Sequence, residues 1–272
     1  MPTLPPILGA ADLAALDPPP VLADVRSYPD GRDGREEFLR RHLPGAVLVD
    51  LDTDLAGPPS PGAGRHPLPE PEDFAAAMRR IGVSSSTPVV AYDDADGMYA
   101  GRLVVMLRWL GHPAALLDGG LGGWTGPTES GEATEIEPGD LSPTPWPSAR
   151  FVEEEAVDEH LADGGTVIDA RAAARYRGEA EPIDAVAGHI PGAVNRPFTD
   201  NLDGSGRFRE VDELRERFDG LGERPIVYCG SGVSACNDLL AMEHAGIDDA
   251  RLYVGSWSAW SADPDRDVAT GD

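Results

Sequence analysis

The sequence predicts an α/β protein made of two copies of one domain, each with a mostly parallel sheet and helices on both of its faces. Three observations predict this fold. A motif at 42–55 recurs at 189–202, short apolar runs alternate with helix-like segments in each half, and a Pro- and Gly-rich stretch separates the halves. Parallel strands need crossover connections, which helices supply on the sheet faces. A chain of 272 residues is long enough to bury two cores.

The repeated motif comes first, because it sets the alignment of the two halves. Residues 42–55 are HLPGAVLVDLDTDL and residues 189–202 are HIPGAVNRPFTDNL, so both contain H-x-P-G-A-V. Each motif follows an apolar run that ends in an acid and an arginine, VLADVR at 21–26 and TVIDAR at 166–171. Short apolar runs of this kind are typical of buried strands. The two halves therefore begin with equivalent strands.

After the motif, each half contains an amphipathic helix and then another strand. Apolar residues recur at three- and four-residue steps in PEDFAAAMRRIG at 71–82 and in VDELRERFDGLG at 211–222, which predicts two helices. PVVAY at 88–92 and PIVYC at 225–229 then predict buried strands.

The ends of the halves also align. DDADGMYAGRL at 93–103 lies opposite CGSGVSACNDL at 229–239 without a gap, and we expect each segment to open a helix. The halves end in Gly- and Trp-containing turns, DGGLGGW at 118–124 and VGSWSAW at 254–260. The GGLGG of the first turn lacks the spacing of a dinucleotide fingerprint, so no cofactor is predicted.

These segments predict the domain boundaries. We expect an N-terminal domain of residues 1–124, a linker of residues 125–149 and a C-terminal domain of residues 150–272. The linker is rich in Pro, Gly and acids and has no helical or strand period, and its Trp146 could fix it to a surface. Residues 56–71 predict a long surface loop near the domain interface.

Composition excludes several classes of function. The formal charge of −26 argues against nucleic acid or an anionic membrane as a partner, because phosphate binding needs clustered cations. No apolar run is long enough to span a bilayer and the start of the chain lacks a basic signal-peptide region, so a cytoplasmic protein is expected. Two cysteines are too few for a disulfide framework or a zinc site, which leaves no predicted metal.

Cys229 is the strongest candidate for a catalytic residue. It follows a predicted strand, where ligands bind in α/β sheets, and a helix is expected to begin near Ala235. The intervening loop is short enough for its main-chain N–H groups to surround the sulfur, which predicts a thiolate with a lowered pKa. Asp93 occupies the matching position of the first half, so that half is expected to be a degenerate copy. The loop residues expected to bind substrate are Gly230, Gly232, Val233 and Ser234.

Together these segments resemble the two-domain rhodanese-type sulfurtransferases over essentially the whole chain. The resemblance is carried by the tandem halves, the two H-x-P-G-A motifs, CGSGVSAC and the terminal GSWSAW. It implies tandem rhodanese-like domains in which Cys229 accepts a sulfane sulfur, becomes a persulfide and passes the sulfur on in ping-pong catalysis. The implied acceptor is cyanide, a low-molecular-weight thiol or a thioredoxin-like protein.

The resemblance also implies a sulfur donor. The neutral Cys-Gly-Ser-Gly loop is similar to that of members that use 3-mercaptopyruvate, and with no local cation it should bind thiosulfate less well. Alignment with the family gives Arg175 as the substrate-binding arginine, with Arg177 close behind. Family members often carry another arginine a few residues later, where this chain has Ile183 and Asp184.

By the same resemblance, Ser231, His66 and Asp52 match a Ser-His-Asp set that would protonate the leaving enolate. His42 and His189 recur in both halves, so a structural role is expected for them. Cys236 is expected to be a buried core residue. Trp257 and Trp260 could either line the site or pack in the core.

Two alternatives stay open at this point. The chain could prefer thiosulfate and cyanide, or it could be a sulfur carrier whose turnover depends on a protein partner. A Cys-x5-Arg phosphatase uses a similar thiolate loop, but the position of its arginine is Ala235 here, which argues against phosphate-ester hydrolysis.

Overall fold

The computed structural model describes residues 4–133 and 136–272, and these form two compact units. Among the described residues, the first unit contains 4–55, 69–146 and 204–208, and the second contains 56–68, 147–203 and 209–272. The predicted boundaries at residues 124 and 150 differ from this division at two loops. Residues 56–68 of the first half belong to the second unit, and residues 204–208 of the second half belong to the first.

The first unit contains a sheet of five parallel strands in the order β1-β5-β4-β2-β3. Its central strands are fully buried, which explains their continuous apolar sequences. The strands are β1 (Ile7–Leu8), β2 (Val21–Asp24), β3 (Val47–Leu48), β4 (Val89–Tyr92) and β5 (Ala114–Leu117).

The helices of the first unit include the predicted amphipathic segment, whose apolar residues Phe74, Ala77 and Met78 are buried at three- and four-residue steps. Pro71 occupies its first turn, a position at which proline loses no helical hydrogen bond. The helices are α1 (Ala10–Leu13), α2 (Gly34–Arg40), α3 (Leu51–Asp54), α4 (Pro71–Arg80), α5 (Ala100–Trp109) and α6 (Gly120–Gly123).

The second unit repeats this topology. Its five parallel strands have the order β6-β10-β9-β7-β8, which is the order of the first sheet with equivalent strands in equivalent places. The strands are β6 (Phe151–Val152), β7 (Val167–Asp169), β8 (Val194–Asn195), β9 (Ile226–Tyr228) and β10 (Arg251–Tyr253).

The helices of the second unit follow the same plan, with a short 3-10 helix at Phe198–Asn201. In the part of the chain that the structure describes, no helix combines the length and the hydropathy of a membrane span. The α-helices are α7 (Glu154–Ala162), α8 (Ala173–Tyr176), α9 (Val211–Arg217), α10 (Ala235–His244) and α11 (Ser256–Trp260).

The acid and arginine that end the first strand of each motif form a buried ion pair. Arg26 binds both carboxylate oxygens of Asp24 at 2.8 and 2.9 Å, and its Nη2 also donates to a main-chain carbonyl. Arg171 makes the equivalent bonds to Asp169, with Nη2 2.6 Å from a carboxylate oxygen, and it too donates to a carbonyl. A planar guanidinium suits this fixed, two-pronged geometry.

The repeated histidines are structural, as predicted. His42 Nδ1 lies 2.8 Å from the carbonyl oxygen of Phe38, on whose ring the imidazole stacks with centroids 4.0 Å apart. His189 Nδ1 lies 2.7 Å from the carbonyl oxygen of Tyr176, and those rings stack at 3.7 Å. Each histidine thus fixes its motif to a neighbouring helix in the same way.

The described residues of 125–149 contain no helix or strand, and those up to 146 belong to the first unit. Trp146 fixes their end. Its Nε1 donates to the carbonyl of Pro69 at 2.7 Å, and its ring packs against Phe74 with centroids 5.1 Å apart.

Candidate active site

Cys229 lies directly after β9, at the carboxyl end of the second sheet. Its side chain is buried, with only 1% of the residue exposed. Its N–H donates to Ser256 Oγ at 3.2 Å, and its carbonyl accepts from the N–H of Trp257 at 3.0 Å. The start of α11 therefore holds the backbone of Cys229 from both sides.

The residues after Cys229 form a tight loop that leads into α10, which begins at Ala235 as predicted. Gly232 has φ +74°, a conformation that glycine adopts without strain. Gly230, Ser231 and Val233 are buried around it. The loop is therefore compact, and it follows Cys229 directly in the chain.

The matching loop of the first unit encloses the carboxylate of Asp93. Each carboxylate oxygen accepts two main-chain N–H groups, all at 2.9 Å. Burial raises the pKa of Asp93, and these four hydrogen bonds oppose that effect. The donors are Ala95, Gly97, Tyr99 and Ala100.

The two loops share backbone features at aligned positions. Asp96 has φ +60° where Gly232 has φ +74°. The N–H of Leu121 donates to the Asp93 carbonyl at 2.8 Å, as Trp257 does to Cys229. By this alignment, the N–H groups equivalent to the four donors around Asp93 are those of Ser231, Val233, Ala235 and Cys236.

No hydrogen bond to the Cys229 sulfur is present within residues 4–133 and 136–272, so its ionisation as a thiolate stays a prediction. The difference from Asp93 has a simple cause. A thiol sulfur is bonded directly to Cβ, whereas carboxylate oxygens lie one atom further out. The sulfur of an unmodified cysteine therefore lies further from such a ring of donors than the oxygens of a carboxylate do.

Ser231 and His66 lie together, as the resemblance implied. His66 Nδ1 is 2.8 Å from Ser231 Oγ, and Ser231 is 8% exposed. His66 belongs to the loop 56–68, which is part of the second unit. Asp52 lies in α3 of the first unit, where its N–H donates to the side chain of Asp50 at 2.9 Å. Its place in the Ser-His-Asp set stays a prediction.

The predicted substrate arginines have different surroundings. Arg175 donates to Glu181 from Nε at 3.1 Å and from Nη2 at 2.6 Å, and Nη2 also contacts Asp184 at 3.2 Å. Burial raises the pKa of Glu181, but the hydrogen bonds from Arg175 and the main chain outweigh it and leave that pKa lowered. Arg177 instead forms a surface pair with Glu179 at 2.8 and 2.9 Å.

Arg65 lies beside the loop that follows Cys229, and the sequence did not predict it there. A Cβ atom placed on Gly230 would lie 3.1 Å from Arg65 Nη2 and 3.4 and 3.5 Å from the two Nη atoms of Arg175. The residues that directly follow Cys229 carry no cation, as expected, but arginines from two other segments lie beside Gly230. The arginines come from segments distant in sequence, so the residues after Cys229 could not reveal them. The one available signal was that Arg65 precedes His66.

The model of the rhodanese-like domain matches this chain twice, at residues 10–127 and 153–263. The chain belongs to the rhodanese-like family. The predicted resemblance to the two-domain rhodanese-type sulfurtransferases is confirmed, and so is the predicted tandem fold.

Named relatives of this rhodanese-like protein cover nearly all of its length. A Pseudomonas aeruginosa protein, named as a probable 3-mercaptopyruvate sulfurtransferase, is 42% identical and covers 98% of each chain. The Escherichia coli 3-mercaptopyruvate sulfurtransferase is 37% identical, covering 93% of this chain and 92% of its own. The crystal structure of SseA from Escherichia coli matches with a TM-score of 0.80 at 33% identity, covering 93% of this chain and 99% of that one.

One relative has a different named donor. A Mycobacterium tuberculosis protein that is 39% identical, with 97% of each chain covered, carries the name of a thiosulfate sulfurtransferase. Named activities among the relatives thus agree on sulfur transfer but differ in the donor.

The remaining candidates lie in the core of this rhodanese-like domain. Cys236 is fully buried in α10, and its sulfur lies 3.4 Å from the carbonyl oxygen of Gly232. Trp257 and Trp260 pack in the hydrophobic core of the second unit, and the Trp257 Nε1 donates to the carbonyl of Val186 at 3.0 Å. Core packing therefore accounts for all three side chains.

Proposed function

We propose that this sulfurtransferase takes sulfur from 3-mercaptopyruvate, holds it as a persulfide on Cys229 and transfers it to a thiol or to cyanide. One observation carries the proposal: the Asp93 carboxylate sits in a ring of four main-chain donors at the position that Cys229 occupies in the second unit. Such rings of oriented N–H groups favour an anion.

The size of that ring suits a persulfide. In a carboxylate of aspartate, the charged oxygens lie two bonds from Cβ. In a cysteine persulfide, the terminal sulfur also lies two bonds from Cβ. The loop of Gly230, Gly232, Val233 and Ser234 would therefore stabilise the terminal sulfur as an anion, while Asp93 fills the equivalent space in the first half. We infer that the N-terminal half, residues 1–124, is catalytically degenerate.

The first half-reaction would be a displacement at sulfur. The Cys229 thiolate attacks the donor sulfur, an S–S bond forms, and the carbon–sulfur bond breaks with its electron pair passing to the enolate of pyruvate. The enolate needs a proton. Ser231 Oγ, 2.8 Å from His66 Nδ1, would donate it and recover it through the imidazole. Asp52 would complete this set by the family resemblance.

In the second half-reaction, a nucleophile attacks the terminal sulfur and Cys229 leaves as a thiolate. The acceptor would be a low-molecular-weight thiol, a thioredoxin-like protein or cyanide, which becomes thiocyanate. Cys229 and Cys236 are not joined in a disulfide, which suits a reducing compartment such as the cytoplasm.

Thiosulfate is a second candidate donor. The guanidinium groups of Arg65 and Arg175 beside Gly230 provide the cations that a dianion needs. With Asp184 and Glu181 already bound to these arginines, we propose that the monoanionic keto acid is preferred. A higher kcat/KM for thiosulfate than for 3-mercaptopyruvate, measured with one acceptor, would reverse this order.

The test is intact-mass measurement after incubation with each donor, followed by peptide mapping. We expect one added sulfur on the peptide that contains Cys229. Cys229→Ser should prevent this gain, and Cys236→Ser is the matched control that should retain it. A sulfur-free wild-type protein, or sulfur on Cys236 alone, would contradict the proposed function.

A further inference from the structure

Ser256, the first residue of α11, has a backbone conformation that serine rarely adopts. Its φ is +52°, in the left-handed region that favours glycine because a Cβ atom crowds the neighbouring carbonyl. Among the described residues, three that are not glycine have a positive φ: Asp96, Arg224 and Ser256. The first two are exposed, whereas Ser256 is fully buried. Backbone strain at a buried residue is typical of functional sites.

The equivalent residue of the first unit is a glycine. Aligning DGGLGGW at 118–124 with VGSWSAW at 254–260 pairs Ser256 with Gly120, whose φ is +51°. A Cβ atom placed on Gly120 would lie 2.4 Å from the carbonyl oxygen of Asp93, which is closer than Cβ atoms approach an oxygen in proteins. The two units therefore have the same φ at this position, but only the unit that contains Cys229 has a side chain there.

The hydroxyl of Ser256 connects the backbone of Cys229 to the end of β10. Ser256 Oγ accepts the N–H of Cys229 at 3.2 Å and donates to the carbonyl oxygen of Tyr253 at 2.9 Å. A hydroxyl can accept one hydrogen bond while it donates another, whereas the side chains of glycine and alanine can do neither. Because the N–H of Trp257 also binds the Cys229 carbonyl at 3.0 Å, α11 holds both main-chain polar groups of Cys229. The direction in which the sulfur leaves the backbone is thereby fixed.

We infer that Ser256 is a positioning residue, whose hydroxyl fixes the backbone of Cys229 so that its sulfur is aligned for attack on the sulfur of the donor. This inference rests on the proposed function, because it assumes that Cys229 is the nucleophile. Ser256 acts through Cys229 and not on the donor itself. A misplacement of about 1 Å can lower a reaction rate by about a hundred-fold, so catalysis gains from this alignment although the backbone is strained.

Two variants separate the hydroxyl of Ser256 from its backbone strain. Ser256→Gly and Ser256→Ala both remove the hydroxyl, so the N–H of Cys229 loses the same acceptor in each. Ser256→Gly also removes the strain, because glycine adopts a positive φ freely, whereas Ser256→Ala keeps it. We therefore expect Ser256→Ala to melt at least about 2 °C below Ser256→Gly in thermal unfolding. A positioning role predicts equal losses of activity in the two variants, and a purely structural role predicts a larger loss in the less stable one.

The experiment measures single-turnover sulfur uptake by Cys229 at increasing concentrations of 3-mercaptopyruvate, at a temperature where each variant is folded. In both Ser256 variants we expect the maximal rate of uptake to fall about ten- to a hundred-fold, because the sulfur is no longer aligned. The donor concentration that gives half of this rate should not change, because Ser256 acts on alignment and not on donor binding. Ser261→Ala, which removes a hydroxyl at the other end of α11 where φ is −75°, is the matched control and should behave like wild type.

The inference is wrong if Ser256→Gly keeps the wild-type rate of uptake, and this result decides the question even if Ser256→Ala does not fold. It is also wrong if Ser256→Gly recovers most of the rate lost in Ser256→Ala, since activity would then follow stability. A higher half-saturating donor concentration with an unchanged maximal rate would overturn it as well. A wild-type protein that gains no sulfur on Cys229 would instead contradict the proposed function.

Discussion

The loops after β4 and β9 differ more in chemistry than in backbone. Each loop has one residue with positive φ, Asp96 in the first and Gly232 in the second. In each loop the carbonyl of the first residue, Asp93 or Cys229, accepts one N–H from the helix after the last strand of its sheet. The first loop fills its ring of donors with the Asp93 carboxylate. The second has Cys229 at that position, and its Cys236 N–H donates to the Val233 carbonyl at 3.0 Å. We propose that the N–H groups of Ser231, Val233 and Ala235 bind an incoming sulfur. The comparison teaches that one backbone can serve stability in one unit and chemistry in the other.

The largest effect should follow from making the loops alike in their first residue. In Cys229→Asp, we expect the carboxylate to accept the loop N–H groups as Asp93 does, and sulfur transfer to fall by at least about a thousand-fold. Activity assays with 3-mercaptopyruvate measure the loss of sulfur transfer, and thermal unfolding measures the effect of the new carboxylate on stability. The melting temperature should equal or exceed that of wild type. Turnover near the wild-type value would contradict the role of Cys229, and a large loss of stability would contradict the shared loop geometry.

The next effect concerns Ser231, whose counterpart in the first loop is Ala95. Ser231→Ala removes the hydroxyl 2.8 Å from His66 Nδ1, and we expect kcat with 3-mercaptopyruvate to fall by about a hundred-fold, in the range of lost general-acid catalysis. Thiosulfate releases sulfite, which needs no proton, so its kcat should fall much less. An equal loss with both donors would show that Ser231 does not act as the acid. Ser261→Ala, which removes a hydroxyl at the end of α11 and outside this loop, is the matched control.

The sequence predicted the parts of this comparison that are local. Short patterns of apolar residues and glycines predicted the strand before Cys229 and the start of α10 at Ala235. The H-x-P-G-A-V repeat is likewise visible in the sequence itself. The pairing of His66 with Ser231 came from resemblance, since 165 residues separate them. Arg65 was missed because its position depends on the contact of Gly64 with Gly255, which no local pattern records. The exchange of residues 56–68 and 204–208 between units likewise depends on long-range contacts.

The Asp93 carboxylate should contribute stability that Cys229 does not. In Asp93→Asn, an amide nitrogen would face two N–H donors and leave them unpaired, and each such group costs about 1–3 kcal/mol. We expect the free energy of unfolding to fall by about 2–6 kcal/mol in urea denaturation. The exposed Asp219→Asn is the control. A variant as stable as wild type would show that the ring of donors does not depend on the carboxylate.

The smallest effect concerns the helices that follow the loops, where buried Arg102 in α5 aligns with buried Asp238 in α10. Burial raises the pKa of Asp238 to about 7, against the opposing hydrogen bond from Asn201 and the charge of Arg217. Asp238 Oδ1 accepts from Asn201 Nδ2 at 2.6 Å, while Oδ2 has no hydrogen-bond partner within the described residues, as suits a protonated acid.

The sign of the pH effect follows from this raised pKa. The folded protein binds the proton more tightly than the unfolded chain, so Asp238 favours folding at low pH and this contribution is lost as pH rises toward about 7. We expect the melting temperature of wild type to fall between about pH 5 and about pH 8 by more than that of Asp238→Asn, which has no proton to lose. Asp219→Asn should retain the wild-type profile. Parallel profiles for wild type and Asp238→Asn would mean that Asp238 stays charged in the folded protein, and its alignment with Arg102 would then place opposite full charges at equivalent buried positions of the two units.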